Sequence, residues 1–229
     1  MEMNQEQTKE LTKHVRKTGT TTVGIVCKEG IVLAADKRGT YGGEGGVSYI
    51  ASRDEDKVQK VNDNIIVTTA GVASDLQKVI KIVRAELRLK ELRTKQKPSV
   101  KESANLFSSI VYQNIRQFSV IPGITHFLLA GNDQEAYYLY EINADGYLQL
   151  VKDYSATGSG MVQCNPILDS EYKESITLDE GIRLAKKCIN ASIKRDPASG
   201  EGLDIFTITK SDIKQVVKQE IIPEFKDRK

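Results

Sequence analysis

The segment Gly19-Thr20-Thr21-Thr22-Val23-Gly24 decides how the rest of the chain is interpreted. It follows a charged leader with few apolar residues and opens the first run that is typical of a β-strand. Three threonines suit the start of a strand, because β-branched side chains pack well on a pleated surface. A self-cleaved N-terminus would use the same residues, because cleavage after Gly19 leaves Thr20 with a nucleophilic hydroxyl and a free α-amine as its base. By itself the segment favours the plain strand, so the remaining sequence has to decide.

Composition excludes several classes of function. The chain has 229 residues, which suits one domain with a sizeable core. Its 33 basic and 31 acidic residues are interspersed, which argues against nucleic acid or an anionic membrane as a partner. Residues 1–18 lack the apolar centre of a secretory signal and contain Glu2, Glu6 and Glu10, unlike a transit peptide. A cytoplasmic location is therefore expected, and a removable pro-segment remains open.

Cysteine and histidine usage predicts no metal and no cofactor. Cys27, Cys164 and Cys188 contain no Cys-x-x-Cys pair, so neither a disulfide framework nor a zinc site is indicated. His14 lies in the leader, and His126 lies in a run typical of a half-buried strand. The glycine-rich loop 42–46 lacks the third glycine of a dinucleotide-binding fingerprint and the lysine of a phosphate loop. We interpret it as a connector.

The remaining pattern predicts antiparallel sheets with segregated helices. Three helices are expected to begin at the capping boxes Ser74–Gln77, Ser99–Glu102 and Thr177–Glu180, each followed by apolar residues at helical spacing. A turn is expected at Asn132-Asp133, and the tail from Pro223 to Lys229 is charged. Strands are predicted at 21–27, 31–36, 57–61, 64–70, 125–131, 135–142, 147–151, 203–208 and 214–218.

Polar motifs stand at the ends of several of these apolar elements. They are Gly19-Thr20-Thr21-Thr22-Val23-Gly24, Ala35-Asp36-Lys37-Arg38-Gly39-Thr40, Lys57 at the head of its strand, Thr69-Ala70-Gly71, Thr157-Gly158-Ser159-Gly160 and Arg195-Asp196 with Ser199-Gly200. Each motif alone is weak, but their order and the elements between them are those of a known family. The set resembles the β subunit of the archaeal-type 20S proteasome, an N-terminal-nucleophile hydrolase, over nearly everything from Gly19 to about Lys210.

The resemblance implies a fold and a domain division. The fold would be α+β, a four-layer α-β-β-α sandwich of two antiparallel sheets flanked by helices. Residues 1–19 would be an autocleaved propeptide that blocks activity until Gly19–Thr20 is cut, and residues 20–229 the hydrolase domain. The function would be that of a threonine endopeptidase, the catalytic β subunit of the core particle that degrades unfolded proteins.

The resemblance also implies catalytic roles. Thr20 Oγ would attack the peptide carbonyl, and its own α-amine, with a pKa of about 8, would accept the proton. Lys57 would be a fixed positive charge near the hydroxyl, held by Asp36. The Gly71 amide would face the oxyanion. The terminal amine and its water would be oriented by three further residues, Ser159, Asp196 and Ser199.

Substrate contacts follow from the same likeness. Gly39 and Thr40 would pair with the substrate backbone as an added strand. Thr69, Ala73 and Gln77 would shape the first specificity pocket, and their small or neutral side chains predict a preference for medium or large apolar residues.

Two departures from the family pattern leave alternatives open. The loop 42–46 lengthens the spacing from Asp36 to Lys57, and Pro197 removes a backbone donor from the Asp196–Ser199 turn. These features favour the alternative of a non-catalytic structural β subunit of the same ring. A different N-terminal-nucleophile amidase, acting on small molecules without ring partners, is a third hypothesis.

The expected partners are also those of the family. They are proteasome α subunits and other β subunits in stacked seven-membered rings, an ATP-dependent unfoldase, and unfolded polypeptide substrates.

Overall fold

The computed structural model describes residues 17–41, 49–133 and 136–222. The predicted leader up to residue 16, the glycine loop 42–46 and the tail from residue 223 lie outside these residues. The strands are β1 (Lys17–Thr18), β2 (Thr22–Cys27), β3 (Gly30–Asp36), β4 (Gly39–Tyr41), β5 (Tyr49–Ser52), β6 (Val58–Lys60), β7 (Ile65–Val72), β8 (Thr125–Asp133), β9 (Ala136–Ile142), β10 (Leu148–Val151), β11 (Tyr154–Thr157), β12 (Gly202–Ile208) and β13 (Ile213–Glu220). The helices are α1 (Ala73–Thr94), α2 (Val100–Arg116), α3 (Met161–Glu171) and α4 (Leu178–Arg195).

Two antiparallel sheets form the centre of the fold. The first sheet has the order β1-β7-β8-β9-β10, and β6 pairs with the same edge of β7 as β1. The second sheet has the order β11-β2-β3-β12-β13. β4 and β5 form a separate hairpin, whose Tyr41 and Tyr49 rings stack with centroids 5.6 Å apart.

Three apolar clusters hold four layers together. One lies between the sheets and includes Leu33 from the second sheet and Leu128 from the first. Another joins α1 and α2 to the outer face of the first sheet, with Phe107 against Phe127. The third joins α3 and α4 to the outer face of the second sheet. The α+β, α-β-β-α sandwich expected from the sequence is therefore confirmed.

Local signals account for two helix starts but not for the others. The capping boxes at Ser99–Glu102 and Thr177–Glu180 are both present. The one predicted at Ser74–Gln77 is wrong, because β7 runs directly into α1 with Val72 as the N-cap, and no side chain caps the helix.

The sequence interpretation also missed five elements and misplaced one turn. It contained no helix at α3, no strand at β1 or β11, and no β4–β5 hairpin. Asn132 and Asp133 end β8 rather than forming the turn, because both still pair with β9. α3 buries only Cys164 and Leu168 and contains Pro166, so its sequence carries almost no helical stripe.

Candidate active site

Thr20 is fully buried directly before β2, at the end of the second sheet. Its N–H donates to Ser159 Oγ at 3.3 Å, and its carbonyl accepts the Gly160 N–H at 3.2 Å. Both partners belong to the loop between β11 and α3. The pairing of Thr157 with Thr22 brings this loop alongside Thr20.

Asp36 and Lys57 form a fully buried ion pair, with 2.7 Å between Lys57 Nζ and Asp36 Oδ1. The Asp36 carboxylate also accepts the backbone N–H groups of Thr21 at 2.8 Å, Gly200 at 2.9 Å and Arg38 at 3.1 Å. Burial lowers the pKa of the Lys57 ammonium from its ordinary value, and the Asp36 carboxylate opposes that shift. The ammonium is thus held by a carboxylate that three backbone amides hold in turn.

The same ammonium contacts the peptide bond before Thr20. Lys57 Nζ donates to the Gly19 carbonyl oxygen at 2.9 Å, and the Gly19 N–H donates to Thr40 Oγ1 at 3.3 Å. A Cβ added at Gly19 would lie only 2.0 Å from the Ala198 Cβ, so glycine is the residue that fits here. The Lys57 ammonium is therefore hydrogen-bonded to the oxygen that would become negative if the Gly19 carbonyl were attacked.

Asp196, at the end of α4, joins the two predicted serines. Its Oδ2 accepts the hydroxyl of Ser159 at 2.7 Å and that of Ser199 at 2.6 Å. Its Oδ1 accepts the Ala198 N–H at 3.1 Å, so the turn is closed in spite of Pro197. The proline therefore does not separate Asp196 from Ser199.

Two contributors to the site were missed by the sequence interpretation. Thr21 Oγ1 lies 2.7 Å from Ser199 Oγ, and the Thr21 N–H reaches Asp36, so this residue links both carboxylate clusters. The Arg38 guanidinium donates to the Pro197 carbonyl at 2.8 Å and to Glu201 Oε1 at 3.0 Å. Both residues stood inside quoted motifs, but only their spatial neighbours reveal these contacts.

A second buried lysine fastens the segment that carries Lys57. Lys37 Nζ lies 2.5 Å from Asp54 Oδ1 and 3.3 Å from Asp204 Oδ2, and the Lys37 carbonyl accepts the Glu55 N–H at 2.9 Å. The sequence interpretation quoted Lys37 only as part of a motif and assigned it no contact, so it did not predict this clamp. The clamp ties the residues just before Lys57 to the end of β3.

The leader strand lies where a substrate strand was predicted. β1 contacts β4, which contains Gly39 and Thr40, and its Lys17 and Thr18 pair with Val72 and Gly71 on β7. Gly71 has φ +133°, and a Cβ there would lie 2.2 Å from the Ile124 carbonyl oxygen. The predicted oxyanion residue therefore lies on the strand that the leader pairs with.

The three residues predicted to shape the first specificity pocket lie at the end of β7 and in the first turns of α1. Thr69 is buried in β7, and its hydroxyl donates to the Lys57 carbonyl at 3.3 Å. Ala73 is half-buried and Gln77 exposed, one turn apart on α1. All three are on the side of the site formed by the first sheet and its helices.

Comparison with known proteins shows which family the chain belongs to. Residues 16–208 match the family described as proteasome subunit. The chain belongs to this family. It is 38% identical over 203 residues to the "Proteasome subunit beta" of Archaeoglobus profundus, covering 89% of this chain and 90% of that protein. It is 36% identical over 194 residues to the protein of the same name from Methanopyrus kandleri, covering 85% and 89%. The match to Methanosarcina thermophila "Proteasome subunit beta" is 35% over 203 residues, covering 89% and 92%.

Family membership confirms the predicted resemblance to the proteasome β subunit. As a proteasome-family chain, the protein assembles with other subunits into the core particle, and its relatives support a peptidase. Within residues 17–41, 49–133 and 136–222, no helix is both long and apolar enough to cross a membrane.

Proposed function

We propose that this proteasome subunit is an active threonine endopeptidase that matures by cutting its own Gly19–Thr20 bond. Residues 1–19 are then the propeptide and residues 20–229 the hydrolase domain. The observation that carries the proposal is the position of Lys57 Nζ, which donates both to Asp36 and to the Gly19 carbonyl. A buried ammonium on that carbonyl makes the carbon more electrophilic and stabilises negative charge on its oxygen.

Maturation follows from the chemistry of the linked residues. Thr20 Oγ attacks the Gly19 carbonyl carbon, and the bond from that carbon to the Thr20 nitrogen breaks. The hydroxyl proton is transferred to this nitrogen, which becomes an α-amine, and Gly19 is left as an ester on Thr20 Oγ. Water then hydrolyses the ester and releases the leader with a carboxylate at Gly19.

The mature site uses the amine that this step creates. The Thr20 nitrogen already lies 3.3 Å from Ser159 Oγ, and the Ser159 hydroxyl donates a hydrogen bond to Asp196. This amine acts as the base that takes the Thr20 hydroxyl proton when a substrate carbonyl is attacked. Lys57 stabilises the developing alkoxide, Asp36 holds Lys57, and the Gly71 N–H donates a hydrogen bond to the oxyanion.

The leader contacts support the proposed substrate track. A substrate strand replaces β1 between β4 and β7, with Gly39 and Thr40 on one side and Gly71 on the other. Thr69, Ala73 and Gln77 then surround the side chain just before the cleaved bond. The substrates are unfolded polypeptides delivered in the cytoplasm by an ATP-dependent unfoldase, and the core contains stacked seven-membered rings with α subunits.

Mass spectrometry of the intact subunit after co-expression with its α subunit tests the proposal. The expected result is loss of residues 1–19, with Thr20 as the new N-terminus. Thr20→Ala is expected to keep residues 1–19 attached, whereas Thr20→Ser, which keeps a hydroxyl, is expected to lose them. A full-length chain inside assembled particles would refute the catalytic role and favour a structural subunit.

A further inference from the structure

The leader strand indicates the path that a bound substrate chain follows on the N-terminal side of the cleaved bond. Thr18 lies opposite Gly71 and Lys17 opposite Val72, in antiparallel register. Residues further from the cleaved bond therefore continue past Val72 toward the first turn of α1. On the proposed function, on which this inference rests, the third and fourth substrate residues before the cleaved bond take this path.

A polar cavity of about 530 Å³ lies beside that path. Tyr41 of β4 and Val72 of β7 form its wall nearest the leader strand, and the first turns of α1 form another. Its remaining lining comes from the end of α2 and the segment that follows. The cavity is therefore within reach of substrate side chains. It is separate from the predicted specificity pocket, because none of Thr69, Ala73 and Gln77 lines it.

Among the described residues that line this cavity, Lys78 is the one cationic side chain. Its Nζ donates to two neutral amide oxygens, Asn114 Oδ1 at 3.1 Å and Gln117 Oε1 at 3.2 Å. Within the described ranges, Lys78 forms no ion pair with a carboxylate. An ammonium has three N–H donors, so one remains for a further acceptor.

Asp75 is the acidic residue of the cavity, and both of its oxygens accept a hydrogen bond from within the protein. Asp75 Oδ1 accepts the Asn114 side-chain N–H at 2.9 Å, and Oδ2 accepts the Ser74 hydroxyl at 3.3 Å. Asp75 also lies in the first turn of α1, where the positive end of the helix dipole offsets a negative charge. The Lys78 ammonium, which has a donor left, is therefore the charged group of the cavity that is placed to bind a substrate acceptor.

We propose that Lys78 is a specificity-determining residue that favours aspartate or glutamate at the third or fourth substrate position before the cleaved bond. The carboxylate occupies the cavity and accepts the third N–H of the ammonium. Because Lys78 is exposed, the preference is modest, about threefold in kcat/KM for glutamate over glutamine at low salt. Salt screens exposed charges, so the preference declines as ionic strength rises.

Fluorogenic peptides with one apolar residue at the cleaved bond test this on assembled, matured particles. The third and fourth preceding positions carry glutamate, glutamine or lysine in turn. Lys78→Met is expected to abolish the threefold preference, and Lys78→Glu to reverse it in favour of lysine. Lys81→Met is the matched control, since Lys81 is exposed on the same helix and does not line the cavity.

The outcomes separate this inference from the proposed function. Equal rates for glutamate and glutamine peptides, or a preference that persists in Lys78→Met, would overturn the role of Lys78 while the peptidase stands. A wild-type preference for lysine would assign the charge to Asp75 and also overturn it. Matured particles inactive on every peptide would refute the proposed function, and this inference with it.

Discussion

Replacing Asp36 by asparagine removes the charge that balances Lys57 and keeps the side-chain shape. Both side chains are fully buried, so the ammonium would be left without its ion-pair partner at 2.7 Å. Removing one partner of a buried pair costs about 3–5 kcal/mol. The part of the cost that comes from Lys57 has a ceiling, because an ordinary lysine side chain can give up its proton at pH about 7.5 for about 4 kcal/mol. The asparagine NH2 also cannot accept the backbone N–H groups that donate to the carboxylate, which adds to the loss. We therefore expect Asp36→Asn to lower the free energy of unfolding by at least about 3–4 kcal/mol.

Urea unfolding of the uncleaved chain measures this, with Thr20→Ala present in every variant so that the proposed self-cleavage does not intervene. Asp63→Asn is the control, because Asp63 is 83% exposed and its change should cost less than about 0.5 kcal/mol. The double variant Asp36→Asn/Lys57→Met removes both charges. It should be about 2 kcal/mol more stable than the sum of the single changes predicts.

The pH dependence has a definite sign. Without Asp36, the pKa of Lys57 in the folded chain falls further below that in the unfolded chain. The unfolded chain then binds more protons, so the stability of Asp36→Asn rises with pH and approaches that of its parent in the alkaline range. A loss below about 1 kcal/mol, or strictly additive single changes, would refute the assignment of Asp36 as the charge that keeps Lys57 in place.

Three further predictions concern stability and reactivity. The Lys90 ammonium lowers the pKa of Glu102, so the ionised carboxylate stabilises the fold at pH values above the ordinary pKa of a carboxyl group. This stabilisation is lost as the pH falls through the pKa that Glu102 has in the folded chain. Glu102→Gln should cost about 0.5 kcal/mol at neutral pH and nothing near pH about 2, and equal costs in urea unfolding at both would contradict this. Gly71→Ala should cost about 1–3 kcal/mol from backbone conformation alone, because φ is +133° there, and an unchanged melting temperature would disprove it. Burial raises the pKa of the Cys27 thiol to about 12, so iodoacetamide should label it only after unfolding, and rapid labelling of the folded chain, seen by mass spectrometry, would argue against that burial.

Elements whose signals are local could be predicted from the sequence. β2 and β3 begin within a residue of their predicted starts, and the capping boxes of α2 and α4 involve residues only three positions apart. α3 could not be predicted, because only two of its residues are buried and no apolar stripe forms. The false capping box at Ser74 shows the same limit. Tertiary contact with Ile124 settles the start of α1, since the Val72 N–H donates to the Ile124 carbonyl at 2.8 Å.

The candidate site was located in the sequence only through its resemblance to a family. Thr20, Asp36, Lys57, Ser159 and Asp196 are separated by up to 176 positions, counting from residue 20 to residue 196, and no spacing rule links them. The resemblance named these residues but gave no reason why Thr21 or Lys37 should matter. Their contacts connect residues far apart in the chain, so they exist only once the second sheet and its neighbouring loops are assembled.

By itself the sequence determined the strand and helix periodicity and the antiparallel class. These properties depend on neighbours a few positions away, or on side-chain type alone. Only the tertiary structure decided that one ammonium, Lys57, contacts both Asp36 and the Gly19 carbonyl, and that the leader pairs with β7. The Lys57 contacts depend on segments that the packing of the two sheets brings together, because a buried charge persists only where distant segments supply its partners. The leader contact depends on strand pairing within the first sheet.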